Sequence, residues 1–174
     1  MERLLLANPY NEKEKRRLQE FENQNNISIK LSEELHNISL KYSNEEYLKI
    51  QNQANELVLH LLLEHDGKIE DYCSISGEKD RKTAKILLAS IPKRTKKKII
   101  KLAIDYALNV LGMEDVFLLI SPNDKNVLLY LKELELEDLG EENGSIVYLI
   151  ENLEKKSSQR MIAWKFWIKL KKTL

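Results

Sequence analysis

Short apolar runs alternate with charge-rich stretches along the chain, and their spacing predicts both strands and helices. Residues 4–7 form an apolar run that stops at Asn8-Pro9, which is typical of a first strand ending in a loop. Residues 11–26 are rich in charge and carry Leu18 and Phe21 three positions apart. This stretch predicts a solvent-facing helix capped by Asn11.

Two more helices are predicted before the central strands. Residues 31–42 carry apolar side chains at spacings of three and four. A third helix is expected from Ser43 to about Asn55, because Glu46 follows Ser43 by three positions and completes a capping box.

The middle of the chain predicts an antiparallel meander of three strands. These strands are residues 57–65, 69–76 and 85–91. Asp66-Gly67 predicts a tight hairpin turn between the first two, and residues 77–82 predict the second turn. Pro92 ends the third strand, because proline cannot donate to the hydrogen-bond ladder.

The most periodic segment is residues 93–111, which predicts a buried helix ending at Gly112. The apolar run 116–120 predicts a strand buried on both faces. A helix over residues 123–134 and a hairpin over residues 136–150 complete the order. This order predicts an α/β (α+β) fold, with a mixed, mostly antiparallel sheet flanked by helices.

Composition limits the classes of protein that fit. The 174 residues, 43% of them hydrophobic, suffice for one core. The 28 basic and 28 acidic side chains cancel, so no overall field attracts nucleic acid or membrane. A single cysteine, Cys73, excludes an internal disulfide and fits a reducing cytoplasm. The sequence has no apolar stretch long enough to span a membrane, so neither export nor a membrane span is expected.

One local cluster departs from this balance. Residues 93–101 contain six cations in nine positions at a predicted helix N-terminus, where positive charge opposes the helix dipole. This placement indicates a bound polyanion, either the phosphates of a nucleotide or a nucleic-acid backbone. The alternative is a solvated turn whose charge is balanced by acidic neighbours such as Glu133 and Glu135.

Two other sets of reactive side chains have simpler interpretations. His60, Glu64, His65 and Asp66 are suited to acid–base chemistry at a strand end, but a position at the sheet edge explains them better. Cys73, in an alternating strand, is expected to be a small buried hydrophobe.

Residues 153–174 are expected to form a basic, amphipathic C-terminal extension. Lys165, Lys169 and Lys172 make one helical stripe, whereas Trp164 and Phe166 also fit the alternation of a strand. Docking on the parent domain, pairing in a homodimer, a partner protein and an anionic membrane surface all remain open.

The element order, and residues 57–151 in particular, resemble the GCN5-related N-acetyltransferase (GNAT) superfamily. Asn123, Leu129, Tyr130 and Lys132 match that family's helix motif Asn-x-x-Ala-x-x-Leu/Phe-Tyr-x-Lys, and residues 136–140 resemble the strand that follows it.

The resemblance implies a GNAT-like domain over residues 1–152 that binds acetyl-CoA. It implies Tyr130 as the general acid toward the departing thiolate. It assigns the cofactor to Leu88, Ala89, Ser90, Arg94, Thr95, Lys96, Lys97, Lys98 and Asn123.

The acetyl-CoA signature is degenerate at two positions. Lys97 and Ile99 stand where the family has glycines in its pyrophosphate loop, and their side chains are expected to crowd the pyrophosphate. Weak or absent acetyl-CoA binding is the resulting expectation. Two functions therefore follow: acetyl transfer to an amine by direct attack, or an inactive binding or regulatory module that contacts a protein or nucleic acid.

Overall fold

The computed structural model describes residues 1–27, 30–89, 96–134 and 136–151. The helices and strands follow the order that the hydrophobic pattern predicts. They are β1 (Glu2–Leu6), α1 (Glu12–Asn25), α2 (Leu31–Lys41), α3 (Asn44–Gln53), β2 (Glu56–His65), β3 (Lys68–Glu78), β4 (Thr83–Leu88), α4 (Lys97–Asp105), β5 (Asp115–Ile120), α5 (Lys125–Glu133), β6 (Glu137–Glu142) and β7 (Ser145–Glu151). The expected C-terminal extension, residues 153–174, lies outside the described residues.

The seven strands form one sheet in the order β1-β2-β3-β4-β5-β7-β6. Neighbouring strands are antiparallel except β4 and β5, which are parallel and are joined across the sheet by α4. The mixed, mostly antiparallel sheet flanked by helices is thus confirmed.

The two faces of the sheet pack against different helices. Helices α4 and α5 cover one face, where Ile100 and Leu131 are completely buried against strand residues such as Ile86 and Leu118. Helices α1 and α2 cover part of the other face, where Leu18 packs with Leu62 of β2. Because side chains alternate along a strand, β2 and β3 contribute to both cores.

Local sequence signals form as expected in two places. Asp66 and Gly67 adopt φ of 48° and 81°, the left-handed conformation that a two-residue hairpin between β2 and β3 requires. The Ser43 side chain accepts a hydrogen bond from the N–H of Glu46, whose carboxylate accepts one from the N–H of Ser43. This reciprocal pair is the capping box that begins α3.

The long helix differs from the prediction over residues 93–111. Helix α4 begins at Lys97, and the chain continues from Tyr106 to Val110 as a π-helical turn. The wider turn ends where Gly112 adopts φ of 72° and the N–H of Met113 donates to the carbonyl of Ala107 at 3.0 Å. Sequence periodicity does not distinguish this widening from regular helix.

Gly77 lies within β3, where it pairs with Leu57 and Ala84, rather than in the turn that the sequence suggests. A Cβ atom at this position would lie 2.9 Å from the carbonyl oxygen of Thr83 and 3.3 Å from Cε of Met113. The first contact is with backbone, which cannot rotate away. Close approach of β4 therefore requires glycine here.

Gly77→Ala is accordingly expected to lower the free energy of unfolding by about 1–3 kcal/mol, the usual cost of overpacking. Urea denaturation would measure it. Ser76→Ala, an exposed neighbour in the same strand, serves as the control and should change stability little. Equal stability of both variants would contradict the steric explanation.

β6 forms one edge of the sheet, and each of its six residues is exposed. Its register against β7 shifts between Asp138 and Glu141, around Gly140 at φ of 94°. Within the described part of the chain, no helix is long and apolar enough to cross a membrane.

Candidate functional site

The parallel strands β4 and β5 stop pairing at Leu87 and Leu119, one residue before each strand ends. Helix α4 follows β4, and helix α5 follows β5. Two helix N-termini therefore begin near the same end of the same strand pair. This end of the strand pair is where the resemblance places the cofactor.

Lys96 immediately precedes α4, and its side chain is completely buried. Its ammonium donates to the carbonyl oxygen of Ala89, just after β4, and lies 3.2 Å from Oδ2 of Asp124, the N-cap residue of α5. A buried cation costs several kcal/mol unless it is paired, and here both contacts come from the protein itself. Lys96 thus links the end of β4 to the starts of both helices.

The described lysines of the basic cluster lie in different environments. Lys96 is buried, Lys98 is half-exposed and paired with Glu2, and Lys97 lies 3.9 Å from Glu133. Residues 93–95 lie outside the described residues. Each of the three described lysines at positions 96–98 thus has an acidic neighbour, and the interpretation of the cluster as an anion-binding surface stays a prediction.

Tyr130 lies on α5 and is 4% exposed. The ammonium of Lys97, the first residue of α4, sits 4.7 Å from the centre of its ring. Burial, and secondarily the carboxylate of Glu133, raise the pKa of the phenol. Tyr130 therefore keeps its proton at neutral pH beside the start of α4.

The other assigned residues lie at the same end of the strand pair. Leu88 and Ala89 are buried at the end of β4, and the N–H of Ala89 still donates to the carbonyl of Tyr72 at 3.4 Å. Asn123 is exposed in the turn before α5, where its N–H donates to Oγ of Ser121. Ser90, Arg94 and Thr95 lie outside the described residues.

Ile99 corrects the expectation of a crowded loop. Its side chain is 1% exposed and belongs to the core beneath α4, together with Ile100 and Ala103. Only Lys97, of the two residues that replace glycines, has an exposed side chain, and that side chain is directed at Tyr130.

Asp124 and the burial of Lys96 were not predicted. A signal for Lys96 was present: it precedes Ile99 and Ile100 by three and four positions, so it shares their helical face. Asp124 follows a Ser-Pro-Asn turn, where an acidic residue is a common helix cap. Its carboxylate instead contacts Lys96, and no side chain caps α5.

The acid–base residues of β2 and the hairpin separate into three environments. His60 lies inside the sheet between β1 and β3, which corrects its assignment to the edge. Glu64 is buried and pairs with Arg3 at 2.7 Å and with Arg17, so its role is structural. His65 and Asp66 are exposed near the hairpin tip.

Cys73 is completely buried, and burial raises the pKa of its thiol, as expected for a small hydrophobe. Among the described residues, no group of three or more His, Cys, Asp or Glu side chains is placed to hold a metal ion.

Neither a protein-family model nor a curated protein matches the sequence. Solved structures do match the fold. The N-acetyltransferase PseH of Campylobacter jejuni with acetyl coenzyme A gives a TM-score of 0.57 at 14% identity, covering 86% of this chain and 99% of that one. PaiA N-acetyltransferase of Thermoplasma acidophilum with coenzyme A gives 0.56 at 14% identity, covering 87% and 99%.

A dodecameric spermidine N-acetyltransferase of Vibrio cholerae gives a TM-score of 0.57 at 15% identity, covering 90% of this chain and 98% of that one. These matches span nearly the whole of each solved chain. Together with the strand order and the open end of β4 and β5, they show that this chain has the fold of the GCN5-related N-acetyltransferases.

Proposed function

We propose that the protein transfers an acetyl group from acetyl-CoA to an amine. The observation that carries this proposal is the position of Tyr130, a buried phenol beside the start of α4, the helix that follows β4. Solved structures of the same fold are N-acetyltransferases, and two of them contain acetyl coenzyme A or coenzyme A.

The residues at the start of α4 fit a cofactor that carries phosphates. Among the described residues, no side chain caps the start of α4, and the first turn of the helix contains no acidic residue. The free N–H groups and the dipole of a helix N-terminus attract an anion. Lys97 and Lys98 are half-exposed cations at this end, each with one acidic neighbour, while Ile99 is turned into the core.

The cofactor would supply the acetyl group as an activated thioester. Tyr130 would donate its proton to the sulfur that departs, and the raised pKa of the phenol keeps that proton available at neutral pH. The core packing of Tyr130 fixes the ring, so the hydroxyl needs little reordering before it donates.

Calorimetric titration with acetyl-CoA tests the first half of the proposal. We expect a dissociation constant in the micromolar range, about −8 kcal/mol. Lys97→Ala should weaken binding, because one cation next to the phosphate site is lost, whereas Lys49→Ala on α3 should not.

Release of free CoA thiol with a panel of primary amines, spermidine included, tests the second half. Thiol release that depends on the amine supports acetyl transfer. Binding without such release, or no binding at millimolar acetyl-CoA, would reject the proposal and favour the inactive binding module.

A further inference from the structure

One row of side chains crosses the sheet on the face that α1 and α2 partly cover. Leu62 and Tyr72 belong to the core beneath those helices, so alternation places His60 and Ser74 on the same face. Strand register aligns His60 with Ser74, Ser74 with Leu87, and Leu87 with Leu119.

This row ends where the pairing of β4 and β5 ends, beside the proposed cofactor site. Leu87 and Leu119 are the last pair between β4 and β5, and the side chain of Leu87 is 42% exposed. Adjacent strands are about 4.8 Å apart, so His60 on β2 lies roughly 10 Å from the backbone of β4. Ser74 occupies the position between them.

The groups around His60 keep its imidazole able to accept a proton. Burial lowers the pKa of His60, and the carboxylate of Glu34 on α2 partly opposes that shift. Burial raises the pKa values of Tyr72 of β3 and Tyr47 of α3, and the carboxylate of Glu34 raises them further. Both phenols therefore remain neutral. On the β1 side, the carbonyl oxygen of His60 accepts a hydrogen bond from the N–H of Ala7 at 2.8 Å.

Acetyl transfer also requires a proton acceptor, a role that none of the described residues assigned to the proposed site fills. As the amine nitrogen bonds to the carbonyl carbon, the carbon–sulfur bond breaks and its electron pair stays on sulfur. Tyr130 protonates that sulfur, and the nitrogen must lose one proton to become a neutral amide. Tyr130 cannot accept this proton, because it holds its own until the thiolate forms.

Building on the proposed function, we propose that His60 accepts the proton lost by the amine, relayed through the hydroxyl of Ser74 or one water molecule. The carboxylate of Glu34, on α2, partly opposes the lowering of the pKa that burial imposes on His60. His60 is a positioning residue for proton transfer, since it acts through the relay and not on the amine directly.

The pH dependence of kcat/KM for the amine tests this inference. Wild type should lose activity as pH falls through a value below about 6.5, the usual pKa of histidine, because protonated His60 cannot accept a proton. His60→Gln should lower kcat by about 10²-fold and abolish this loss of activity at acidic pH. Glu34→Gln removes a carboxylate that favours protonated His60, so the activity should be lost at a lower pH than in wild type.

His65→Gln, at an exposed position of the same strand, is the matched control and should leave the profile unchanged. Acetyl-CoA affinity and thermal unfolding of each variant show whether the fold and the cofactor site are intact. If the loss of activity at acidic pH persists in His60→Gln, or does not shift in Glu34→Gln, the role of His60 is rejected. The proposed function is not affected by that result. No amine-dependent thiol release by wild type would reject the proposed function, and this inference with it.

Discussion

Asp124→Ala should lower the free energy of unfolding by about 3 kcal/mol, the lower end of the cost of leaving a buried charge unpaired. The Lys96 side chain is completely buried, and Asp124 is its only described carboxylate partner. Removing that carboxylate leaves the ammonium with the Ala89 carbonyl alone. The lower end applies because the Asp124 side chain is 16% exposed, so water can reach the gap.

Urea denaturation measures the effect, and two further variants interpret it. Lys96→Met removes the cation at similar volume and should cost less than Asp124→Ala, because Asp124 can then turn to solvent. Glu20→Ala, at an exposed position on α1, should have little effect. If Lys96→Met lowered the free energy of unfolding more than Asp124→Ala, the ion pair would not be the main way in which Lys96 stabilises the fold.

Tyr130→Phe should reduce kcat by at least about 10²-fold and leave acetyl-CoA affinity nearly unchanged. The substitution keeps the ring in the core and its contact with Lys97, and removes only the proton donor. Calorimetry gives the affinity, and thiol release gives kcat.

Tyr148→Phe on β7 is the matched control, since Tyr148 is buried in the same core and burial also raises the pKa of its phenol. It should retain activity. Equal losses in both variants would indicate a packing effect, and unchanged kcat in Tyr130→Phe would exclude it as the proton donor.

The sequence predicts the fold well where local chemistry and burial agree. The capping box at Ser43, the Asp66-Gly67 hairpin and the strand at residues 116–120 are each specified by residues close together in the chain, although that strand is fully buried on one face and not on both. Such signals act over two to five positions, so they can be recognised without knowing the tertiary packing.

The candidate site is predicted less completely, because its chemistry depends on contacts between distant segments. Three successive lysines are chemically identical, yet each lies in a different environment. Lys96 is buried, Lys97 lies over Tyr130 and Lys98 pairs with Glu2. The direction of each side chain follows from the helical face that Ile99 and Ile100 fix. Asp124, 28 residues from Lys96, becomes its partner only when β4 and β5 align.

The exposed strand β6 affects how one molecule meets another. An edge strand offers unpaired backbone groups that a second sheet can join. Such a contact would bring like charges together, because β6 carries four acidic residues: Glu137, Asp138, Glu141 and Glu142. The irregular register around Gly140 also twists the strand away from a flat template. The edge therefore resists open-ended stacking of sheets.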